Sequence, residues 1–106
     1  MTDTRTPTRN RSGFLRIDPR RAADLIYRSR LGQLPGLALF DVRDRGSFER
    51  RHVEGAQHLT EAALGDVFGR VPRAAPVVIY CYHGNASQVY ATMFADFHYA
   101  EVYSVD

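Results

Sequence analysis

Val77-Val78-Ile79-Tyr80-Cys81-Tyr82-His83-Gly84-Asn85-Ala86-Ser87-Gln88 is the stretch on which the fold and the chemistry both turn. Its β-branched run leads straight into the one cysteine of the chain; a tight polar loop with a single glycine follows, and helical spacing begins behind it. Strand, thiol, anion-sized loop and helix start, in that order, put a thiolate at the bottom of a cradle of backbone N–H groups at the positive end of a helix. A free thiol has a pKa near ~8.5, and converging N–H donors lower it by favouring the anion. Gly84 lets the backbone turn and present its N–H groups inward, while Ser87 is placed to cap the helix that follows.

The segments on either side supply the frame for that loop. Phe14 to Ile17 reads as a short strand, and Asp18-Pro19 starts a helix with an oxygen-bearing cap and proline at the first position. Ala22, Leu25, Ile26 and Ser29 form its inward stripe; Arg20, Arg21, Arg28 and Arg30 face water; Gly32 and Pro35-Gly36 end it. Leu37 to Val42 is a near-continuous apolar run, as in a strand covered on both faces, and it ends in Asp41-Val42-Arg43-Asp44. A short helix over Ser47 to Arg51 with Phe48 inward, a strand at Gln57 to Leu59, and a helix opened by Thr60 and carrying Leu64, Val67 and Phe68 come next. Pro76 to Cys81 is a strand. A helix over Ser87 to Phe97 is predicted to turn Val89, Met93 and Phe97 to the core, flanked by Tyr90 and Phe94, with Met93 as filler. Glu101 to Asp106 is a last strand. Strands alternating with short helices predict an α/β domain with a mostly parallel sheet.

The totals fit one small soluble domain: 106 residues, 44% hydrophobic and 25% charged, with no apolar run long enough to cross a bilayer and no secretory leader pattern. One cysteine cannot make an internal disulfide, and a reducing cytoplasm is the simplest location. All 14 basic residues are arginine. Arg5, Arg9 and Arg11 against Asp3 give residues 1–12 a charge of +2, leaving 11 Arg against 11 acids in the remainder. The basic character therefore belongs to the tail and argues against nucleic-acid binding, which needs clustered positive charge on a folded face. Residues 1–13, rich in Thr and Arg with no apolar period, are expected to be a disordered basic tail; residues 14–106 form the domain.

A cysteine closing a buried strand is often no more than a small hydrophobe. The polar loop and helix behind Cys81, with Asp41 and Arg43 ending another strand, shift the reading to a reactive thiol. His83 can assist anion binding when protonated. Arg43 is expected to pair with a nearby carboxylate, His52 to order its turn through a hydrogen bond, and His98 to sit at an exposed helix end. No Cys/His spacing resembles a metal site.

The loop Cys81-Tyr82-His83-Gly84-Asn85-Ala86-Ser87-Gln88 resembles the active-site segment of single-domain rhodaneses of the GlpE type, and the resemblance runs along nearly the whole folded chain. Asp41-Val42-Arg43-Asp44 is similar to the family's D-x-R-D stretch, His52-Val53-Glu54-Gly55-Ala56 to its H-x-x-G-A signature, and Val102 to Asp106 to the segment before its last helix. The resemblance implies a three-layer rhodanese-like domain with a five-stranded, mostly parallel sheet flanked by helices. It also implies thiosulfate, or another sulfane-sulfur donor, as substrate. Cys81 would be the persulfide carrier, with Tyr82, His83, Gly84, Asn85, Ala86 and Ser87 holding the substrate, and cyanide or a small thiol or dithiol protein as acceptor. No metal, organic cofactor, nucleic acid or membrane is called for.

Loop length separates this chemistry from that of similar folds. The family's sulfur-transfer loops hold six residues, here Cys81 to Ala86, whereas the related phosphatases and arsenate reductases carry an Arg six positions after the cysteine. Position 87 is Ser and residues 82–87 contain no Arg, which argues against a phosphatase. The chain departs from the family at Arg51 (usually glycine), at Ala86 (a serine in similar loops), and after Asp106, where the family continues with a glycine pair and a last helix. The expected domain therefore lacks that helix. A non-catalytic rhodanese module that binds a partner or senses sulfur status is the alternative reading.

Overall fold

In the computed structural model, which describes residues 13–106, the strands form one sheet. Its members are β1 (Leu15–Ile17), β2 (Ala38–Asp41), β3 (Gln57–His58), β4 (Val77–Tyr80) and β5 (Val102–Val105), in the spatial order β1-β5-β4-β2-β3. Every pairing is parallel. Parallel neighbours need crossovers, and the four α-helices provide them: α1 (Pro19–Arg30), α2 (Arg45–Arg50), α3 (Leu64–Arg70) and α4 (Asn85–Asp96). The expected five-stranded α/β architecture is the one observed. The expected tail lies outside the described residues except for Gly13. No helix among the described residues is long and apolar enough to cross a membrane.

Strand alternation divides the core in two. Ala38, Phe40, Val77, Ile79 and Val102 face α3 and α4, packing with Val67, Ala91, Phe94 and Tyr99. Leu39, Val78, Tyr103 and Val105 face the other way onto Ala22 and Leu25 of α1, with Phe48 of α2 packed against the same cluster. The central strands are buried on both faces, which is why their sequence shows a continuous apolar run and no alternation.

Local signals place most boundaries. The Asp18 carboxylate accepts from the Arg21 N–H at 2.8 Å and Pro19 occupies the first turn of α1. Three expectations need correction. Thr60 makes no side-chain cap; the segment it opens is a 3-10 turn, Glu61–Ala63, that runs into α3. Ser87 does not cap α4, because the helix begins two residues earlier behind Gly84, which sits at φ +79°. The inward face of α4 is Ser87, Ala91 and Phe94, while Val89 and Phe97 are 56% and 50% exposed. Ser87 and Ala91 let the helix lie close over β4 and β5, Phe94 fills the core against Phe40, and Val89 and Phe97 are turned outward, where Phe97 stacks on Phe68 at 4.5 Å.

Candidate active site

Cys81 follows β4 directly, at the carboxyl edge of the sheet, and is half-buried. The chain then turns through Gly84, whose positive φ suits glycine, into the first turn of α4. A Cβ at position 84 would also meet Asp106, at 3.1 Å from Cα and 3.2 Å from Oδ1. Asp106 is itself pinned: its N–H donates to the Ile17 carbonyl at 2.8 Å and its carboxylate accepts from Arg16 Nε at 2.9 Å. The loop has no slack on that side.

The sulfur lies among donors. The Ser87 N–H donates to Sγ at 3.3 Å, and the Ser87 hydroxyl lies 3.4 Å from it. Burial pushes the thiol up, but hydrogen bonds from the Ser87 hydroxyl and N–H, joined by the N–H groups of His83 and Gly84, outweigh it and hold Cys81 below the ordinary thiol value. Ser87 is fully buried, and its hydroxyl makes a second contact, 2.8 Å to the equally buried Ser104 Oγ on β5.

The sequence-derived site residues fall into two groups. His83, Gly84 and Ser87 turn backbone N–H groups toward the sulfur. Asn85 and Ala86 line the mouth with Tyr82 and His83, in a cavity of about 350 Å³ that Val42, Arg43, Asp44 and Cys81 complete. Tyr82 turns its phenol away from the cradle. Its hydroxyl donates to Asp44 Oδ1 at 2.7 Å and also meets Ser47 Oγ, tying the loop to the start of α2. That hydrogen bond, with those from the Ser47 hydroxyl and N–H, holds the Asp44 carboxyl well below the usual carboxylate range.

Arg43 is tied to Asp41. Its guanidinium reaches the Asp41 carboxylate at 2.7–3.1 Å and donates to the carbonyls of Arg51 and Ser47. Burial would raise the fully enclosed Asp41 carboxyl; the Arg43 hydrogen bonds more than reverse that and lower it. Arg43 thus braces the strand end and lies over the rings of Tyr80 and Tyr82 at 5.7 Å each. His52 Nδ1 contacts the Phe48 carbonyl at 2.6 Å with its ring stacked on Phe48, ordering the turn, and His98 is exposed. No local sequence pattern signals the reach of Tyr82 to α2 or the contact of Ser104 with Ser87; the polar Ser104 inside an apolar strand is the one trace of the latter.

Residues 24–106 match the family model described as the rhodanese-like domain. A thiosulfate sulfurtransferase GlpE of Tolumonas auensis is 41% identical over 95 residues, which are 90% of this chain and 84% of that protein. Its counterpart in Ectopseudomonas mendocina is 39% identical over 95 residues, with 90% and 81% covered. Among solved structures, a rhodanese-like domain from an Anabaena protein superposes with a TM-score of 0.67 at 15% identity, over 86% of this chain and 67% of that one. A polysulfide-sulfur transferase of Wolinella succinogenes gives 0.65 at 18% identity, over 87% and 67%. At those identities the two structures speak to the fold alone.

Proposed function

The chain belongs to the rhodanese-like family and is a sulfurtransferase, and from that premise we propose that thiosulfate is its donor and Cys81 its sulfur carrier. The observation that carries the reading is the donor set on Sγ, four protein groups that favour the anion of a half-buried thiol. The Cys81 thiolate attacks the outer sulfur of thiosulfate. A new S–S bond forms to Cys81, the S–S bond of thiosulfate breaks, and sulfite leaves with the bonding pair. The cysteine is left as a persulfide anion, which the N–H groups of His83, Gly84 and Ser87 can hold as they hold the thiolate.

In the second step a nucleophilic acceptor, cyanide or a small thiol or dithiol protein, attacks the outer persulfide sulfur and takes it away, and the Cys81 thiolate departs. Neither step moves a proton onto or off the sulfur when the thiolate is pre-formed, so no general base is called for. With no arginine in residues 82–87, the loop offers a transferring phosphoryl group no guanidinium clamp. A reducing compartment such as the cytoplasm suits a lone thiol that must stay free.

Initial-rate kinetics test the proposal. Thiocyanate formation measured over a grid of thiosulfate and cyanide concentrations should give parallel double-reciprocal lines, the signature of a substituted-enzyme intermediate. Cys81→Ser should abolish the rate. Intersecting lines, or a rate that survives in Cys81→Ser, would contradict it.

A further inference from the structure

Two fully buried serines from elements far apart in sequence meet behind the reactive sulfur. Ser87 lies in the first turn of α4 and Ser104 in the middle of β5, and their hydroxyl oxygens are 2.8 Å apart. Among the described residues Ser87 Oγ has two partners, Ser104 Oγ and Cys81 Sγ, whereas Ser104 Oγ has one, Ser87 Oγ.

A hydroxyl carries a single proton, so the direction of the chain can be worked out. If Ser87 donates to Ser104, the Ser104 proton has nowhere to go, and an unmet buried donor is costly. If Ser104 donates to Ser87, the Ser87 proton is free to point at sulfur and both protons are used. The second arrangement makes the sulfur the terminal acceptor, a role that an anion fills far better than a neutral thiol.

We propose that Ser104 is a positioning residue for Cys81: its hydroxyl donates to Ser87 Oγ and so turns the Ser87 proton onto the sulfur. Ser104 touches neither the sulfur nor substrate and acts only through Ser87. The proposal deepens the reading of Cys81 as the sulfur carrier and rests on it, since it explains how the anion of that sulfur is favoured. The charged and titratable groups lining the pockets around Cys81 are Arg43, Asp44, Tyr82 and His83 on one side and Tyr27, Arg30, Tyr80 and Asp106 on the other. All of them are unchanged in the variants below, so differences report the hydroxyl chain.

The test is the pH titration of the single thiol, followed by thiolate absorbance and by the rate of iodoacetamide alkylation, on the full chain. Ser104→Ala is expected to raise the apparent pKa by about half a unit to one unit. At a pH one unit below the wild-type value it should slow alkylation by about 3- to 10-fold, as the thiolate fraction falls. Ser87→Ala should raise the pKa at least as far, and adding Ser104→Ala to it should move the value by no more than about 0.2 units, because a residue acting through Ser87 has nothing left to act on.

Should Ser104→Ala not fold, Ser104→Thr against Ser104→Val makes the same comparison, with Thr keeping the lower pKa. A folded Ser104→Ala with the wild-type titration overturns the proposal, as does a double variant that shifts by the sum of the single changes. Absence of sulfur transfer in the wild type would sink the functional reading and leave these titrations interpretable in their own right.

Discussion

Replacing Gly84 by alanine loads the turn behind Cys81 in two ways that can be separated. At φ +79° the new side chain meets the left-handed penalty, ~1–2 kcal/mol, partly offset by the ~0.4–1 kcal/mol that alanine gains by restricting the unfolded chain. The Cβ then lies 3.1 Å from Asp106 Cα and 3.4 Å from the Val105 carbonyl oxygen. Because β1 pins Asp106 by its N–H and its carboxylate, the relief must come from the loop, a misfit of the kind that costs ~1–3 kcal/mol. Gly32→Ala is the control: φ is +78° and nothing lies within 4 Å of its added Cβ, so only the backbone cost applies.

Urea unfolding at neutral pH should therefore show a loss of about 0.5–1 kcal/mol for Gly32→Ala and about 2–3 kcal/mol for Gly84→Ala, with unchanged slopes. The Gly84 N–H also faces the sulfur, so only Gly84→Ala should raise the Cys81 pKa. Equal losses for the two variants, or a Gly84→Ala thiol that titrates as wild type, would refute the reasoning.

Removal of the Arg43 guanidinium in Arg43→Met leaves the fully buried Asp41 carboxylate without its counter-ion, and a loss of ~3 kcal/mol is expected by urea unfolding at pH 7. In the wild type the folded pKa of Asp41 is depressed, so its contribution is complete above the unfolded value of ~3.9 and disappears as pH falls through the folded value. The Arg43→Met deficit should accordingly shrink as pH is lowered below ~4, and a deficit independent of pH would contradict the pairing. Tyr82→Phe gives up the hydroxyl contacts to Asp44 and Ser47 at an exposed position; thermal melting should register a loss under ~1 kcal/mol, and a larger one would mean that the phenol is structural. Wild-type alkylation plotted against pH should show a midpoint below that of the same thiol in the urea-unfolded chain; a midpoint at or above the unfolded one would mean that burial, and not the donor set, governs Cys81.

The frame was legible wherever one local signal decided the matter. The β-branched run Val77-Val78-Ile79 marks a strand, the apolar run Leu37 to Val42 marks one covered on both faces, and Asp18-Pro19 carries both halves of a helix start. The order of strand, cysteine, glycine and helix also puts the thiol at the sheet edge. Less was visible where packing overrode pattern. The spacing of Val89, Met93 and Phe97 picks out one stripe of α4, yet the face laid over β4 and β5 is Ser87, Ala91 and Phe94, where two small residues allow the close approach. Gly84 starts α4 through backbone conformation with no capping side chain, whereas local sequence signals favour an oxygen-bearing residue such as Ser87 at that place. Ser87 belongs instead to the sulfur and to Ser104, a contact across 17 residues that no local pattern encodes.

The claim at the centre is that Cys81 itself carries the transferred sulfur, and intact-protein mass spectrometry after incubation with thiosulfate addresses it most directly. The wild-type chain should gain the mass of one sulfur atom, cyanide should remove it, and folded Cys81→Ser should gain nothing. A folded wild-type protein that shows no adduct, or an adduct that persists in Cys81→Ser, would contradict it.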